Sequence, residues 1–274
     1  MAKVVLITGC STGIGRDLVQ SLSQAGYSVV ATARKVETLA DVSAALKLPL
    51  DVTQADSVCK AVEQTVQRFG RIDILINNAG YGVQGAVEEV SVEQLHRMFD
   101  VNVYGAMRLI HAVAPLMRQQ RAGRILNISS ITGKLALPMN GTYAATKFAL
   151  EALSDALRLE LSPFGIQVVV IEPGPVKTHF ADTAQTYAQE ILSNPASPYR
   201  TLYNHAHQVM ITMRQQECEP AIVSQVVQQA IEMAQPKARY LIGISWVNQL
   251  VFYLGDSAKD FIFKRLFKIA TSTQ

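Results

Sequence analysis

Val4-Val5-Leu6-Ile7-Thr8-Gly9-Cys10-Ser11-Thr12-Gly13-Ile14-Gly15 is the stretch that decides how this 274-residue chain folds. Four apolar residues read as a strand, and a glycine-rich turn leads from it into a helical pattern. Gly9 permits the tight turn out of the strand, Gly13 lets backbone approach a phosphate, and Gly15 allows close helix packing. Ser11, Thr12 and Ile14 complete the loop, and the helix N-terminus behind it favours an anion. The stretch therefore predicts a dinucleotide pyrophosphate site on the first strand-to-helix turn, spaced Gly-x-x-x-Gly-x-Gly.

Outward from this turn, apolar runs alternate with amphipathic stretches. After the first run come 28–33, 48–52, 72–76, 124–129, 166–171 and 239–242. Helical patterns occupy 13–25, 34–46, 54–69, 92–119, 142–162 and 220–234. Unbroken runs such as Val168-Val169-Val170-Ile171 read as strands covered on both faces. This alternation predicts a Rossmann-type, doubly wound α/β fold: seven parallel strands with helices on both faces, in one domain over 1–274. Residues 177–219 interrupt the alternation after the sixth strand, where the ligand crevice of such a sheet lies, and so suit a substrate lid. An amphipathic extension follows over 245–274.

The chain is 49% hydrophobic with a formal charge of +3, and no Lys/Arg block points to nucleic acid. Cys10, Cys59 and Cys218 are scattered and odd in number, which suits a reducing compartment better than a disulfide framework. The first strand begins too early for a signal peptide, and no apolar run nears the roughly 18 residues of a membrane span. A cytoplasmic protein is expected. The histidines, among them His96, His111 and His179, form no metal cluster.

Further motifs follow in order. Ala33 stands where an NAD-selecting protein carries an acid, and Arg34 comes next. A guanidinium there suits a 2′-phosphate, with Ser11 adding a hydroxyl; a solvated arginine at the start of a 34–46 helix is the alternative. Asp51, beside Val52, ends the third run and can accept from an adenine amino group. Asn77-Asn78-Ala79-Gly80 ends the fourth, and its small residues let backbone pack against adenosine, although Asn77 also suits a plain turn. Pro173-Gly174-Pro175-Val176-Lys177-Thr178 ends the sixth, placing Thr178 to bond a nicotinamide amide. Tyr143 and Lys147, four apart on a helix, share one face, so the ammonium can stabilise the phenolate. Ser130 precedes them at the end of an apolar stretch.

Taken together, the chain resembles the short-chain dehydrogenase/reductase family, main branch. Thr-Gly-x-x-x-Gly-x-Gly, Asn-Asn-Ala-Gly, Asn102, Ser130, Tyr-x-x-x-Lys and Pro-Gly occur in order between residues 3 and 178. Residues 4–15, Asp100-Val101-Asn102-Val103 and 171–180 look most like the 17β-hydroxysteroid and retinol dehydrogenases. The resemblance implies that Ser130 holds a substrate oxygen and that Tyr143 donates or removes its proton. It also implies that Lys147 binds the nicotinamide ribose and lowers the tyrosine pKa, while Asn102 positions a water that extends the proton path. The expected activity is NADP(H)-dependent interconversion of a ketone or aldehyde and its alcohol. NAD(H)-dependent alcohol oxidation and a non-catalytic dinucleotide sensor are the alternatives.

Leu137, in Leu135-Ala136-Leu137-Pro138-Met139, and the lid's Phe180, Tyr199, Leu202, Tyr203, Val209, Met210 and Met213 suit a lipophilic carbonyl such as a steroid, retinoid or long-chain ketone. His207 matches a substrate-contacting histidine of steroid-converting relatives; a solvated lid histidine is the other reading. The tail sets Trp246, Val247, Leu250, Tyr253, Phe261, Ile262, Leu266 and Phe267 among Lys259, Lys264, Arg265 and Lys268. Packing on the protein's own body or a neighbouring subunit is expected of it, with contact to a membrane surface the alternative. The 101–119 and 142–162 helices suit pairing into a homodimer or homotetramer.

Overall fold

The computed structural model describes residues 2–245 and 249–269; the side chain of Met213 lies outside the described residues, as do Trp246 and Val247 of the tail. Alternation inside the first strand, β1 (Val4–Ile7), sets the layers. Val5 and Ile7 pack against Leu18, Val19 and Leu22 of α1 (Gly13–Gln24) and Val223, Val227 and Ile231 of α9 (Pro220–Glu232). Val4 and Leu6 point the other way, toward Val58 and Val62 of α2 (Ala55–Phe69) and Leu109, Val113 and Met117 of α4 (Ala106–Gln120). Side chains at period 2 on the strand meet side chains three and four apart on the helices.

The remaining strands are β2 (Ser28–Ala33), β3 (Leu46–Pro49), β4 (Ile74–Asn77), β5 (Gly123–Ile128), β6 (Ile166–Pro173) and β7 (Arg239–Ile242). All seven are parallel, in the order β3-β2-β1-β4-β5-β6-β7. The order reverses between β1 and β4, which opens a crevice at their carboxyl ends. The helix α5 (Gly141–Leu161) lies beside β6, and α3 (Val92–Phe99) opens on a capping box in which Ser91 and Gln94 exchange hydrogen bonds.

Three boundaries differ from expectation. No helix fills 34–46; a single 3-10 turn at Val36–Leu39 suffices, because the chain must return at once to begin β3 alongside β2. The third strand runs Leu46–Pro49 rather than 48–52, since Asp51 Oδ1 accepts from Thr53 N at 2.9 Å and turns the chain toward α2. The expected 92–119 helix contains a π-turn at Asp100–Gly105 between α3 and α4, a form that often marks functional positions.

Residues 177–219 fold into α6 (Phe180–Tyr187), α7 (Gln189–Ser193) and α8 (Arg200–Arg214). In the tail, α10 (Asp256–Leu266) follows a 3-10 turn at Leu250–Tyr253. Phe263 and Phe267 pack against the body beside Tyr203 and Ala206, while Phe261, Ile262 and Leu266 remain exposed. The expected docking thus holds for one side of the tail helix. Among the described residues, no helix is long and apolar enough to cross a membrane.

Candidate active site

A cleft of about 1400 Å³ runs across the carboxyl ends of the strands. Its floor begins at the glycine turn, where three glycines are required for different steric reasons. A Cβ on Gly15 would lie 2.3 Å from Gly9 O and 2.4 Å from Asn78 Nδ2, and one on Gly9 would lie 2.9 Å from Ala79 Cα. Gly13 has φ +57°, and a Cβ there would stand 3.1 Å from Thr178 Cγ2. Thr12, the N-cap of α1, makes no side-chain cap bond, so the first amides of the helix are left for another acceptor. Asn78 braces the turn: its Nδ2 donates to Thr8 O at 2.9 Å and Gly9 O at 3.0 Å, while Thr8 Oγ1 accepts from Asn78 N and Ala79 N, each at 3.0 Å. The shape is a narrow cradle of backbone N–H groups, which fits a pyrophosphate.

Every residue assigned to the cofactor from sequence lines this cleft except Gly15, which is buried under the turn. Arg34 is exposed at its edge and makes no hydrogen bond or ion pair among the described residues. It is held by the end of β2, not by a helix. Asp51 lines the cleft but spends Oδ1 on Thr53 N and Thr53 Oγ1. Asn77 is no turn residue: it is the last residue of β4, buried, and its Nδ2 donates to Asn127 Oδ1 at 2.9 Å.

Farther along the cleft, β5 delivers Ser130 and α5 delivers Tyr143 and Lys147. Ser130 Oγ accepts from Thr132 N at 3.2 Å and lies 3.4 Å from Pro173 O, and its hydroxyl is near enough to the phenol of Tyr143 to favour the phenolate. Tyr143 is 7% exposed, with the Phe180 ring centroid 5.3 Å away. The expected lowering of its pKa is not what the geometry gives. Burial pushes the phenol up and the Ser130 hydroxyl opposes it; Lys147 Nζ stands 5.7 Å from the ring centroid and donates to Ile128 O at 2.8 Å. Lys147 is itself pushed down to about 8 by burial, partly opposed by the charge of Glu151.

Asn102 sits off the main cleft. Its Oδ1 accepts from Tyr81 N at 3.0 Å, and its Nδ2 donates to Tyr81 O at 2.8 Å and Thr146 Oγ1 at 3.0 Å. The π-turn turns this amide inward, where it bounds a cavity of about 10 Å³ shared with Thr8, Asn77 and Lys147. That volume is about the size of one water.

The lid side of the cleft is mixed: Leu137, Met139, Phe180, Val209 and Met210 line it beside polar Thr183, Thr186, Gln189, Glu190, Arg214 and Glu217. Tyr199, Leu202 and Tyr203 do not; they pack α8 onto the body, where Tyr203 Oη accepts from Ala86 N at 3.2 Å and bonds Glu89. His207 is also misplaced as a substrate contact. Tyr203, Ala206 and Met210 take the inward face of α8, and the residue after Ala206, a third of a turn round, is exposed. Sequence reasoning overlooked Gln94 and Arg97 of α3 and the role of Phe267, all of which line the cleft. No local motif marks them, because they reach the site only through long-range packing.

Residues 3–189 match the family model for short chain dehydrogenases. The chain belongs to the short-chain dehydrogenase family. The 3-ketodihydrosphingosine reductase of Bacteroides thetaiotaomicron is 35% identical over 241 residues, 88% of each chain. Human 17-beta-hydroxysteroid dehydrogenase type 1 is 34% identical over 268 residues, 92% of this chain and 81% of that one. Among solved structures, a short chain dehydrogenase/reductase from Burkholderia phymatum in complex with NAD superposes with a TM-score of 0.79 at 27% identity, covering 96% of this chain and 95% of that one. Like those relatives, this short-chain dehydrogenase is an oxidoreductase.

Proposed function

We propose that this oxidoreductase interconverts a lipophilic ketone or aldehyde and its alcohol, using NADP(H) in preference to NAD(H). The observation that carries the proposal is the meeting of Ser130, Tyr143 and Lys147 in the cleft that begins at the glycine cradle. Bound in that cradle, a nicotinamide dinucleotide supplies or accepts the hydride. The chain's own groups handle the oxygen and its proton. Ser130 and Tyr143 hydroxyls hold the substrate oxygen, and Tyr143 gives up its proton as negative charge develops there. A phenol kept protonated by burial is suited to the role of donor in the reducing direction. Lys147 binds the cofactor ribose and, as an ammonium, offsets the phenolate left behind. The small cavity beside Asn102 and Lys147 has room for one water, which would link that lysine onward to Asn102.

Preference for the 2′-phosphate rests on Arg34, which makes no hydrogen bond or ion pair among the described residues, and on Ala33, which brings no acid. Lipophilic specificity rests on Leu137, Met139, Phe180, Val209 and Met210 among the cleft's lid-side residues, and residues 177–219 serve as its lid. We also propose a homodimer or homotetramer through the α4–α5 side, where Tyr104, Phe148 and Leu159 are exposed; the solution mass at micromolar concentration tests it. For the activity, a panel of carbonyls and alcohols assayed with all four nicotinamide forms is decisive. Turnover of hydrophobic carbonyls with NADPH is expected. Turnover of none would favour the dinucleotide sensor, and better kcat/KM with NADH would reverse the cofactor choice.

A further inference from the structure

Behind the floor of the cleft lies a cluster of charges that the chemistry above does not use. Glu151 is one helical turn beyond Lys147 on α5 and only 6% exposed. Its Oε2 accepts from Arg239 Nε at 3.0 Å, while Oε1 is buried without a hydrogen bond. Arg239 opens β7 and also reaches Asp155 Oδ2 at 2.6 Å and Glu172 Oε1 at 3.3 Å. Glu172, 1% exposed near the end of β6, lies 3.2 Å from Lys134 Nζ, and Asp155 also pairs with Arg158 at 3.2 Å.

Glu151 and Glu172 each sit behind a different working segment. Glu151 is on the helix that carries Tyr143 and Lys147. Glu172 precedes Pro173, whose carbonyl oxygen lies 3.4 Å from Ser130 Oγ, and Lys134 ends the short loop that begins at Ser130. The loop is pressed onto the helix: a Cβ on Gly133 would lie 2.8 Å from Ser129 Oγ and 2.9 Å from Glu151 Cγ. A buried ion cluster is weak evidence for stability, since apolar side chains of similar volume often serve as well. Its value here is positional, because the charges join three separate segments and the start of β7, adding to the Ser130–Pro173 contact and the packing at Gly133.

We propose that Glu151, Glu172 and Arg239 are positioning residues that hold the Tyr143–Lys147 turn, the Ser130 loop and the end of β6 in one register, with Glu151 acting on Lys147 through its charge. The inference rests on the reading of Ser130, Tyr143 and Lys147 as the reacting groups. Around Lys147 the titratable neighbours are Tyr143 and Glu151 on its own helix; around Glu151 they are Arg239 from β7, Glu172 from β6 and Lys134 from the serine loop, with Asp155 beyond Arg239. Burial and the neighbouring Glu151 raise the Glu172 carboxyl, while Lys134 and Arg239 oppose them. Glu151 in turn favours the ammonium of Lys147 against burial.

The test is Glu151→Gln, which keeps the shape and removes the charge. With ¹³Cε-labelled lysine, and the Lys147 signal assigned by its loss in Lys147→Arg, the titration midpoint is expected to move below the parent value of about 8. The alkaline limb of kcat/KM should move the same way, with kcat at pH 8 falling about fivefold and cofactor KM changing less than about twofold. Glu151→Asp should recover part of both. Lys134→Met, at a half-exposed site that threatens folding less, should lower kcat about threefold without weakening NADPH binding. A folded Glu151→Gln protein with unmoved midpoint and unmoved alkaline limb overturns the proposal. Should that variant not fold, a Lys134→Met protein with parental kcat overturns it instead. Were the parent to turn over no carbonyl, the assignment of the reacting groups would fail, and the lysine titration would still decide whether Glu151 acts on Lys147.

Discussion

The two ends of the cleft are built differently. At the glycine end, each wall is a strand terminus or the start of a helix, braced by buried or part-buried hydrogen bonds such as Asn78 Nδ2 to Thr8 O and Lys147 Nζ to Ile128 O. At the apolar end the walls are α6, α8 and the segment after α10, whose polar ties are largely exposed: Arg214 to Asp182 at 2.7 Å, Tyr199 to Glu88 at 2.8 Å. In the proposed reaction the sheet fixes where proton and hydride chemistry happens, while the shape offered to substrate depends on elements held by exposed ties. On that proposal one end selects a reaction, and the other selects what undergoes it.

The sharpest way to break that division is at Tyr143. Tyr143→Phe is expected to lower kcat by about 10²–10⁴-fold while leaving NADPH affinity nearly unchanged, because it removes a proton donor and no phosphate contact. Fluorescence titration beside steady-state rates checks this. A variant retaining most of its rate would move the chemistry away from the strand ends.

Cofactor choice comes next in size. Losing the guanidinium in Arg34→Leu should reduce the preference for NADPH over NADH by about 10- to 100-fold, from a charged hydrogen bond worth about 1.5–3 kcal/mol. Ala33→Asp should invert it by setting a carboxylate beside the phosphate. Comparing kcat/KM for both cofactors in each protein decides. Parental preference in Arg34→Leu would return Arg34 to the role of a solvated surface residue.

The pH profile probes the same end more gently. Burial holds the Lys147 pKa at about 8, and in the proposed mechanism the ammonium is the working form. Carbonyl reduction should be flat below that point and fall about tenfold per pH unit above it. A profile still flat at pH 10 would mean that the lysine's charge does not take part.

The smallest effect is expected at the apolar end. Met210→Ala should raise KM for a bulky hydrophobic carbonyl about three- to tenfold and leave a small aldehyde almost unaffected, in line with losing about one to two methylenes' worth of contact from a part-buried side chain. Equal effects on both substrates would indicate that α8 packs rather than selects.

How far the sequence reaches follows the same division. The glycine turn, Arg34, Ser130, Tyr143 and Lys147 are legible because each is set by a local rule: a turn that needs positive φ, a residue just past a strand, a pair four apart on a helix. Phe267 and Arg97 are not, since they meet the cleft through contacts far apart along the chain. His207 shows the converse, a plausible residue placed on the wrong side of its helix by the packing of Tyr203 and Ala206.

By itself, then, the sequence determined the alternation of strands and helices, the parallel sheet and the residues at its strand ends, because periodicity and turn stereochemistry act within a few residues. Only the tertiary structure decided the π-turn that aims Asn102, the direction of the Tyr143 pKa, the half-docked tail helix and the ion cluster behind Lys147. Burial and charge pairing are sums over neighbours, and neighbours exist only once the chain has folded.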